Sequence, residues 1–221
     1  MTPRAVVFDL WDTLVDWPLD DWHVLERRIA TRLGVSEERF REMWRDEAAY
    51  RSRQVGPLAP SLLELCRALD SDAEVEELVT WRHEFTRRWL VPRPGAVATL
   101  VELRGRGFRV GLISNCSEDV PDVWDTTELA PLFDAAVFSA TVGCMKPERE
   151  IYELACARLD IAPTDCIFVG DGANDELRGA EAVGMTAVLV HRAGEEPVWS
   201  EVRGWTGRRV TSIPDVLELV T

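Results

Sequence analysis

The chain has 221 residues, long for one domain and short for two full ones, which argues for a single core carrying a sizeable insertion. Its 25 basic and 39 acidic residues give a formal charge of −14, which excludes a protein held to nucleic acid or an anionic membrane by bulk electrostatics. Among the basic residues Lys146 is the one lysine; the others are arginine. Five cysteines (Cys66, Cys116, Cys144, Cys156 and Cys166) lack CxxC spacing, and a chain with 46% hydrophobic residues needs no cross-links, so reduced and mostly buried thiols are expected. The N-terminus has no basic region followed by an apolar stretch, and no apolar run approaches the ~18 residues of a membrane span. The expectation is a soluble cytoplasmic protein with a small-molecule substrate, no nucleic-acid or membrane partner, and a monomeric or homodimeric state.

In chain order, Ala5 to Phe8 is a short apolar run suited to a fully buried strand, ending at Asp9. From Asp16 the texture turns helical. Asp20 or Asp21 can cap a helix reaching Leu33 before Gly34, and Ser36 can cap another running to about Arg51. After the break QVGPLAP, Ser61–Leu69 and Ala73–Leu90 give two more, so residues 16–91 are expected to form an inserted four-helix unit. Trp17, Trp22, Trp44, Trp81 and Trp89 fall in it and are expected to pack its core rather than form a stacking platform.

From Pro92 the pattern changes again. A helix over Ala96–Arg104 precedes strands at Arg109–Ile113, Ala135–Ser139, Cys166–Val169 and Ala187–Val190, with helices near 119–129, 148–159 and 175–183 between them and a last helix from about Ile213. This alternation argues for right-handed βαβ units and an α/β, doubly wound (Rossmann-like) parallel sheet built from residues 1–15 and 92–221. Ligands bind such sheets beyond the carboxyl ends of the strands. The residues there are Asp9 with Asp12 and Thr13, Ser114 with Asn115, Lys146 with Pro147, and Gly170-Asp171 with Asp175.

Together these make a site for nucleophilic attack on an anionic group. A carboxylate such as Asp9 can form a covalent intermediate that splits one hard hydrolysis into two easier steps. Ser114, Asn115 and the amides around Asp12 could hold substrate oxygens, while Lys146 neutralises charge and orients the nucleophile. Asp171 and Asp175 suit oxygen ligation of a hard cation such as Mg²⁺, which would relieve the repulsion between them and Asp9. His23, His83 and His191 have neither ligand spacing nor a serine partner.

In order and spacing, Asp9-x-x-Asp12-Thr13, Ser114-Asn115, Lys146-Pro147 and Gly170-Asp171-x-x-x-Asp175 resemble the four motifs of the haloacid dehalogenase-like hydrolase superfamily. The resemblance spans the whole chain, the insertion being similar to that superfamily's helical C1 cap. It implies that Asp9 is the nucleophile, that Thr13 and Ser114 bind the transferred group, and that Lys146 is the motif lysine. It also implies that Asp171, with the Trp11 carbonyl, ligates metal in phosphatase members. One departure is plain: DLWDT puts Trp11 where those phosphatases carry an acid-base aspartate. General acid-base catalysis is worth about 10² to 10⁴ in rate, so activity would survive best on leaving groups that need little protonation. The side chain of Asp12, next in line, is expected to form the turn, beside the substrate.

Metal-free dehalogenases carry an aromatic residue at position 11, and Trp44-Arg45 is similar to the pair whose arginine grips their substrate carboxylate, with Tyr152 six residues after Lys146 as in those enzymes. Asp171 opposes that reading, because a serine stands there in dehalogenases, and a buried extra carboxylate without a cation is costly. The first expectation is therefore a Mg²⁺-dependent phosphatase of a small phosphorylated metabolite. A metal-free 2-haloacid dehalogenase is the second, and a phosphate-binding relative without turnover the third. Because lysine is a compact point charge and arginine a wide planar fork, Lys146→Arg is expected to abolish turnover and leave the fold intact. Near wild-type kcat in that variant, with an unchanged circular dichroism spectrum, would break the argument.

Overall fold

Strand β1 (Ala5–Phe8) is apolar at every position and wholly buried, as a central strand covered on both faces requires. The computed structural model describes residues 3–192 and 199–220; positions 193–198 and 221 of the expected tail lie outside the described residues. After β1 come five helices: α1 (Leu19–Leu33), α2 (Glu37–Trp44), α3 (Glu47–Gln54), α4 (Leu58–Ala68) and α5 (Val75–Trp89). Helices and strands then alternate through α6 (Ala96–Gly105), β2 (Arg109–Ser114), α7 (Asp119–Trp124), β3 (Ala135–Phe138), α8 (Ser139–Val142), α9 (Arg149–Leu159), β4 (Cys166–Gly170), α10 (Glu176–Ala182), β5 (Thr186–Val190) and β6 (Arg208–Val210). The strands form one parallel sheet in the order β3-β2-β1-β4-β5-β6, which is the α/β doubly wound fold expected.

Alternate residues of β1 serve the two faces of the sheet. Val6 and Phe8 join Leu112, Val169 and α6 residues Leu100 and Leu103, whereas Ala5 and Val7 join Ile151, Ala155 and Leu159 of α9. Strand order reverses between β1 and β4, so their carboxyl ends diverge into a crevice. Phe8 pairs in register with Leu112 on one side and Val169 on the other, which brings Asp9 level with the ends of β2 and β4.

Several local expectations are corrected. The helix expected from Ser36 to Arg51 is two: Arg45 closes α2, and the Asp46 carboxylate accepts from Ala49 N at 3.0 Å to start α3, so the insertion carries five helices and not four. Helix α1 begins at Leu19 after Pro18, and Asp20 and Asp21 lie in its first turn, where they complement the helix dipole without capping it. Helix α7 stops at Trp124, short of residue 129, because the hydroxyls of Thr126 and Thr127 bond back to the carbonyls of Val123 and Trp124. Beyond Ile213 there is only a 3₁₀ turn, Pro214–Val220, and β6 is too short to be read from sequence. The five cysteines are free, as expected, and Cys144 alone is not fully buried. No described helix is long and apolar enough to cross a membrane.

Helices α1 to α5 build a hydrophobic cluster of their own around Trp22, Leu25, Ile29, Phe40, Leu62, Leu78, Trp81 and Phe85, with Trp17, Trp44 and Trp89 packed against it. The tryptophans are core here, as their spacing suggests. The cluster is fastened to the strand-bearing part largely through α5 and α7. Asp119 is fully buried and receives Arg82 Nη2 at 3.0 Å, the Ser117 hydroxyl at 2.5 Å and the Thr86 hydroxyl. His83 Nε2 lies 2.9 Å from Asp122, and Glu118 accepts from Leu58 N at 2.9 Å.

Burial works against the Asp119 charge, yet Arg82 and the two hydroxyls hold its carboxyl below the usual value. A depressed folded pKa contributes stability that is complete above the unfolded value of about 3.9 and is lost as pH falls through the lower folded value. Asp119→Asn is expected to cost on the order of 3 kcal/mol at neutral pH, with the deficit shrinking below about pH 4. Urea titrations of both proteins across pH check this, and a deficit that does not change with pH would contradict it.

Candidate active site

Asp9 directly follows β1, and its amide donates to Val169 O of β4 at 2.9 Å, so two adjacent strands fix its backbone. The side chain is buried, and Oδ1 accepts from Lys146 Nζ. Lys146, 2% exposed, donates also to Glu176 Oε2 at 2.5 Å. Burial alone would strip the ammonium of its proton, but Asp9 and Glu176 hold its pKa above the ordinary lysine value. The Lys146 backbone is clamped in turn: Asn115 Nδ2 donates to Lys146 O at 2.9 Å, and Lys146 N donates to Asn115 Oδ1 at 2.8 Å. Asn115 therefore positions the lysine, and its Nδ2 keeps a second N–H beyond that clamp.

The loop after β4 corrects the expected metal pair. Asn174 and Asp175 both adopt left-handed backbone (φ 53° and 57°), which turns Asp175 outward, 3.5 Å from Arg178 Nη1. Glu176, the next residue, is delivered into the interior and is fully buried. It packs over Gly170, where a Cβ would collide with its carboxylate, and Oε1 accepts from Gly172 N at 2.9 Å. Tyr152 supports the turn from behind, donating its hydroxyl to Glu176 O at 2.8 Å. The acidic cluster is thus Asp9, Asp171 and Glu176, with ligand oxygens within 4.8 Å of one another.

Asp171 accepts from Ala173 N at 3.1 Å and from the indole of Trp199. Its carboxyl is pushed up to about 6, first by burial and then by the charge of Asp9. Burial likewise raises Glu176 well above the normal range, against the pull of Lys146. Three carboxylates around one ammonium leave an excess of negative charge and only oxygen donors, the chemistry that fits a hard divalent cation.

A cavity of about 240 Å³ opens over these groups. From the sheet side Asp9, Trp11, Asp12, Asn115, Lys146 and Asp171 line it; from the helical side Trp17, Tyr50, Gln54, Arg82, Phe85 and Thr86 do. Thr13 and Ser114 sit beneath, fully buried, their hydroxyls without a partner among the described residues. Trp11 meets the edge of Trp17 at 5.1 Å. The Asp12 carboxylate forms the turn as expected, accepting from Trp17 N at 3.0 Å and from Arg93 Nη2 at 3.2 Å, with its own pKa raised by burial.

Trp44 and Arg45 do not reach the cavity: Trp44 stacks on Phe40 at 5.3 Å, and Arg45 is exposed at the end of α2. The arginine that does line it is Arg82, which sequence spacing alone did not single out. The signal was an arginine in register with Leu78, Trp81 and Phe85 on the buried stripe of α5.

A family model described as haloacid dehalogenase-like hydrolase matches residues 3–184. The chain is 29% identical over 204 residues to a glyceraldehyde 3-phosphate phosphatase of Methanopyrus kandleri, covering 86% of this chain and 84% of that one. It is 28% identical over 206 residues to (S)-2-haloacid dehalogenase 4A of Burkholderia cepacia, covering 88% and 85%. In fold it is similar to a HAD phosphatase from Thermococcus onnurineus, with a TM-score of 0.70, 23% identity, and coverage of 98% and 97%.

The two hydrogen bonds between the Asn115 side chain and the Lys146 backbone are each worth about 0.5–1.5 kcal/mol. Asn115→Ala is expected to lower kcat about tenfold or more, through loss of lysine placement, and to lower the melting temperature modestly. Steady-state kinetics beside thermal unfolding check it; unchanged kcat would show that the clamp does not position Lys146.

Proposed function

This chain belongs to the haloacid dehalogenase-like hydrolases, and we propose that it is a Mg²⁺-dependent phosphatase of a small phosphorylated metabolite, acting in the cytoplasm. The observation that carries the reading is the approach of Asp171 to Asp9 and Glu176 around a single ammonium. A metal-free displacement at Asp9 has no use for that third carboxylate. Residues 16–91 are read as a cap over a core of residues 1–15 and 92–221.

Asp9 Oδ2 attacks phosphorus while Lys146 holds Oδ1 and spreads the negative charge. The P–O bond to the leaving group breaks with its electron pair on the departing oxygen, and the phosphoryl group stays on Asp9 as a mixed anhydride. Water then attacks phosphorus and releases phosphate and the Asp9 carboxylate. The buried hydroxyls of Thr13, in the turn after Asp9, and of Ser114, at the carboxyl end of β2, have no partner among the described residues, and they donate to phosphoryl oxygens when the site fills. Asp9 and Asp171, with the Trp11 carbonyl, would hold the cation, and Asp175 faces Arg178 instead. When bound, Mg²⁺ supplies Lewis-acid neutralisation of charge on the phosphoryl oxygens.

Trp11 sets the substrate range. An indole cannot protonate a departing alkoxide, so acyl and anomeric phosphates are the substrates that suffer least from the missing acid. Trp11 is also the observation that favours a second reading, a metal-free 2-haloacid dehalogenase, since a halide leaves unprotonated; of its other supports, Trp44 and Arg45 lie outside the cavity and Tyr152 bonds to the Glu176 carbonyl.

Phosphate release from a panel of acyl, anomeric and alkyl phosphates, with and without EDTA, tests the proposal alongside halide release from 2-chloropropionate. Turnover that requires Mg²⁺ and favours acyl or anomeric phosphates is expected. Metal-independent phosphate release, or halide release without any phosphatase activity, would overturn it.

A further inference from the structure

The polar groups on the helical side of the cavity are not accounted for by chemistry at Asp9. Arg82 is 6% exposed, and its guanidinium is fixed on two sides: Nη2 donates to Ser117 Oγ at 2.9 Å and to both Asp119 oxygens at 3.2 and 3.0 Å, while the carbon of the guanidinium lies 4.8 Å from the Trp22 ring centroid. Nε and Nη1 are buried and have no partner among the described residues. Gln54, on α3, lines the same cavity, and its Oε1 is also buried and unpartnered. Buried donors and acceptors are ordinarily matched, so this concentration beside a cavity marks groups whose partners arrive with a ligand.

The charge balance says what kind of ligand. Arg53 stands close enough to Arg82 for the two to repel, and burial together with that repulsion pulls its own pKa down to about 10. Asp119 is the one fully buried carboxylate bonded to Arg82 and engages Nη2 alone, so the helical wall of the cavity keeps unmatched cationic donors, whereas the wall at Asp9 has anionic charge to spare. The cavity is small, and Trp11, Trp17 and Phe85 form its apolar side.

We propose that Arg82, assisted by Gln54, determines specificity by binding a carboxylate at the end of the substrate remote from the group that reacts at Asp9. The inference rests on the phosphatase reading and narrows it to carboxylate-bearing phosphates. Arg82 donates to the carboxylate from one of its two unmatched nitrogens, Nε or Nη1, which face opposite edges of the guanidinium, and Gln54 Oε1 accepts from a hydroxyl or amine beside it. A neutral end of the same size gives up the charge-assisted bond to the guanidinium, which is how such a site discriminates against an analogue. Because Asp119 and Trp22 already hold the guanidinium, little side-chain freedom is lost when the ligand binds.

Calorimetric titration with non-hydrolysable phosphonates tests this independently of leaving-group chemistry. In the presence of Mg²⁺, phosphonoacetate is expected to bind about 10- to 100-fold more tightly than its neutral counterpart acetonylphosphonate, the range of one or two hydrogen bonds to a charged group. The preference is expected to shrink to within about twofold in the double variant Arg82→Gln/Asp119→Asn, which removes the buried pair together so that no uncompensated charge threatens folding. Arg82→Lys, which keeps a cation for Asp119, is expected to retain part of the preference. Equal binding of the two phosphonates to the wild-type chain, or a preference that survives the double variant, would overturn the inference and leave the phosphatase reading intact. If no phosphonate binds, the phosphatase reading fails instead. The inference is then decided by 2-chloropropionate, whose binding must be lost with Arg82 for a carboxylate site to stand and whose failure to bind, or binding without Arg82, would sink it.

Discussion

The buried ammonium of Lys146 is the constraint on which the rest of the site depends. It bridges Asp9 and Glu176 at the nearly dry floor of the cavity, so each of the three charges is tolerable only because the others are present. Those residues come from the end of β1, the segment between α8 and α9, and the start of α10, and are brought together by the parallel sheet. Asn115, one residue beyond β2, completes the arrangement by clamping the lysine backbone. Sequence segments more than a hundred residues apart thus meet at the point where strand order reverses, and the position of Asp9 is set by the fold as much as by its own turn.

Charge is distributed across the cavity in two unequal walls. Near Asp9 three carboxylates surround one ammonium, and on the helical side Arg82 keeps two donors that Asp119 does not engage. A molecule with a metal-bound anion at one end and a bare anion at the other matches both. The aromatic surfaces of Trp11, Trp17 and Phe85 between the two walls lower the local polarity, which strengthens both electrostatic contacts. The bulk charge of −14, prominent in the composition, has no part in this local balance.

Much of the fold was legible because it follows from local pattern. The apolar runs that became β1, β2 and β4 and the alternation of strand and helix beyond Pro92 leave little choice of architecture. Asp9, Lys146 and Asp171 could be picked out because they stand at strand ends, where direction is fixed. Asp175 and Glu176 show where such reasoning fails: both are acidic neighbours, and two left-handed backbone residues decide which one faces inward, a choice that spacing does not encode. Arg45 and Arg82 fail for a related reason. Twelve arginines fall within residues 16–91, and which of them meets the cavity depends on how helices from two distant segments pack. The break between α2 and α3 matters here as well, since it sends Arg45 outward while Tyr50 and Gln54 reach the cavity.

The central claim is that Asp9 takes the phosphoryl group covalently. The most direct measurement is to mix the Mg²⁺-loaded protein with acetyl phosphate, quench within one turnover, reduce with borohydride and map the peptides by mass spectrometry. An acyl phosphate at Asp9 is predicted to be reduced to homoserine at that position and at no other, with the conversion absent from Asp9→Asn. Release of phosphate with Asp9 unmodified throughout would contradict the account.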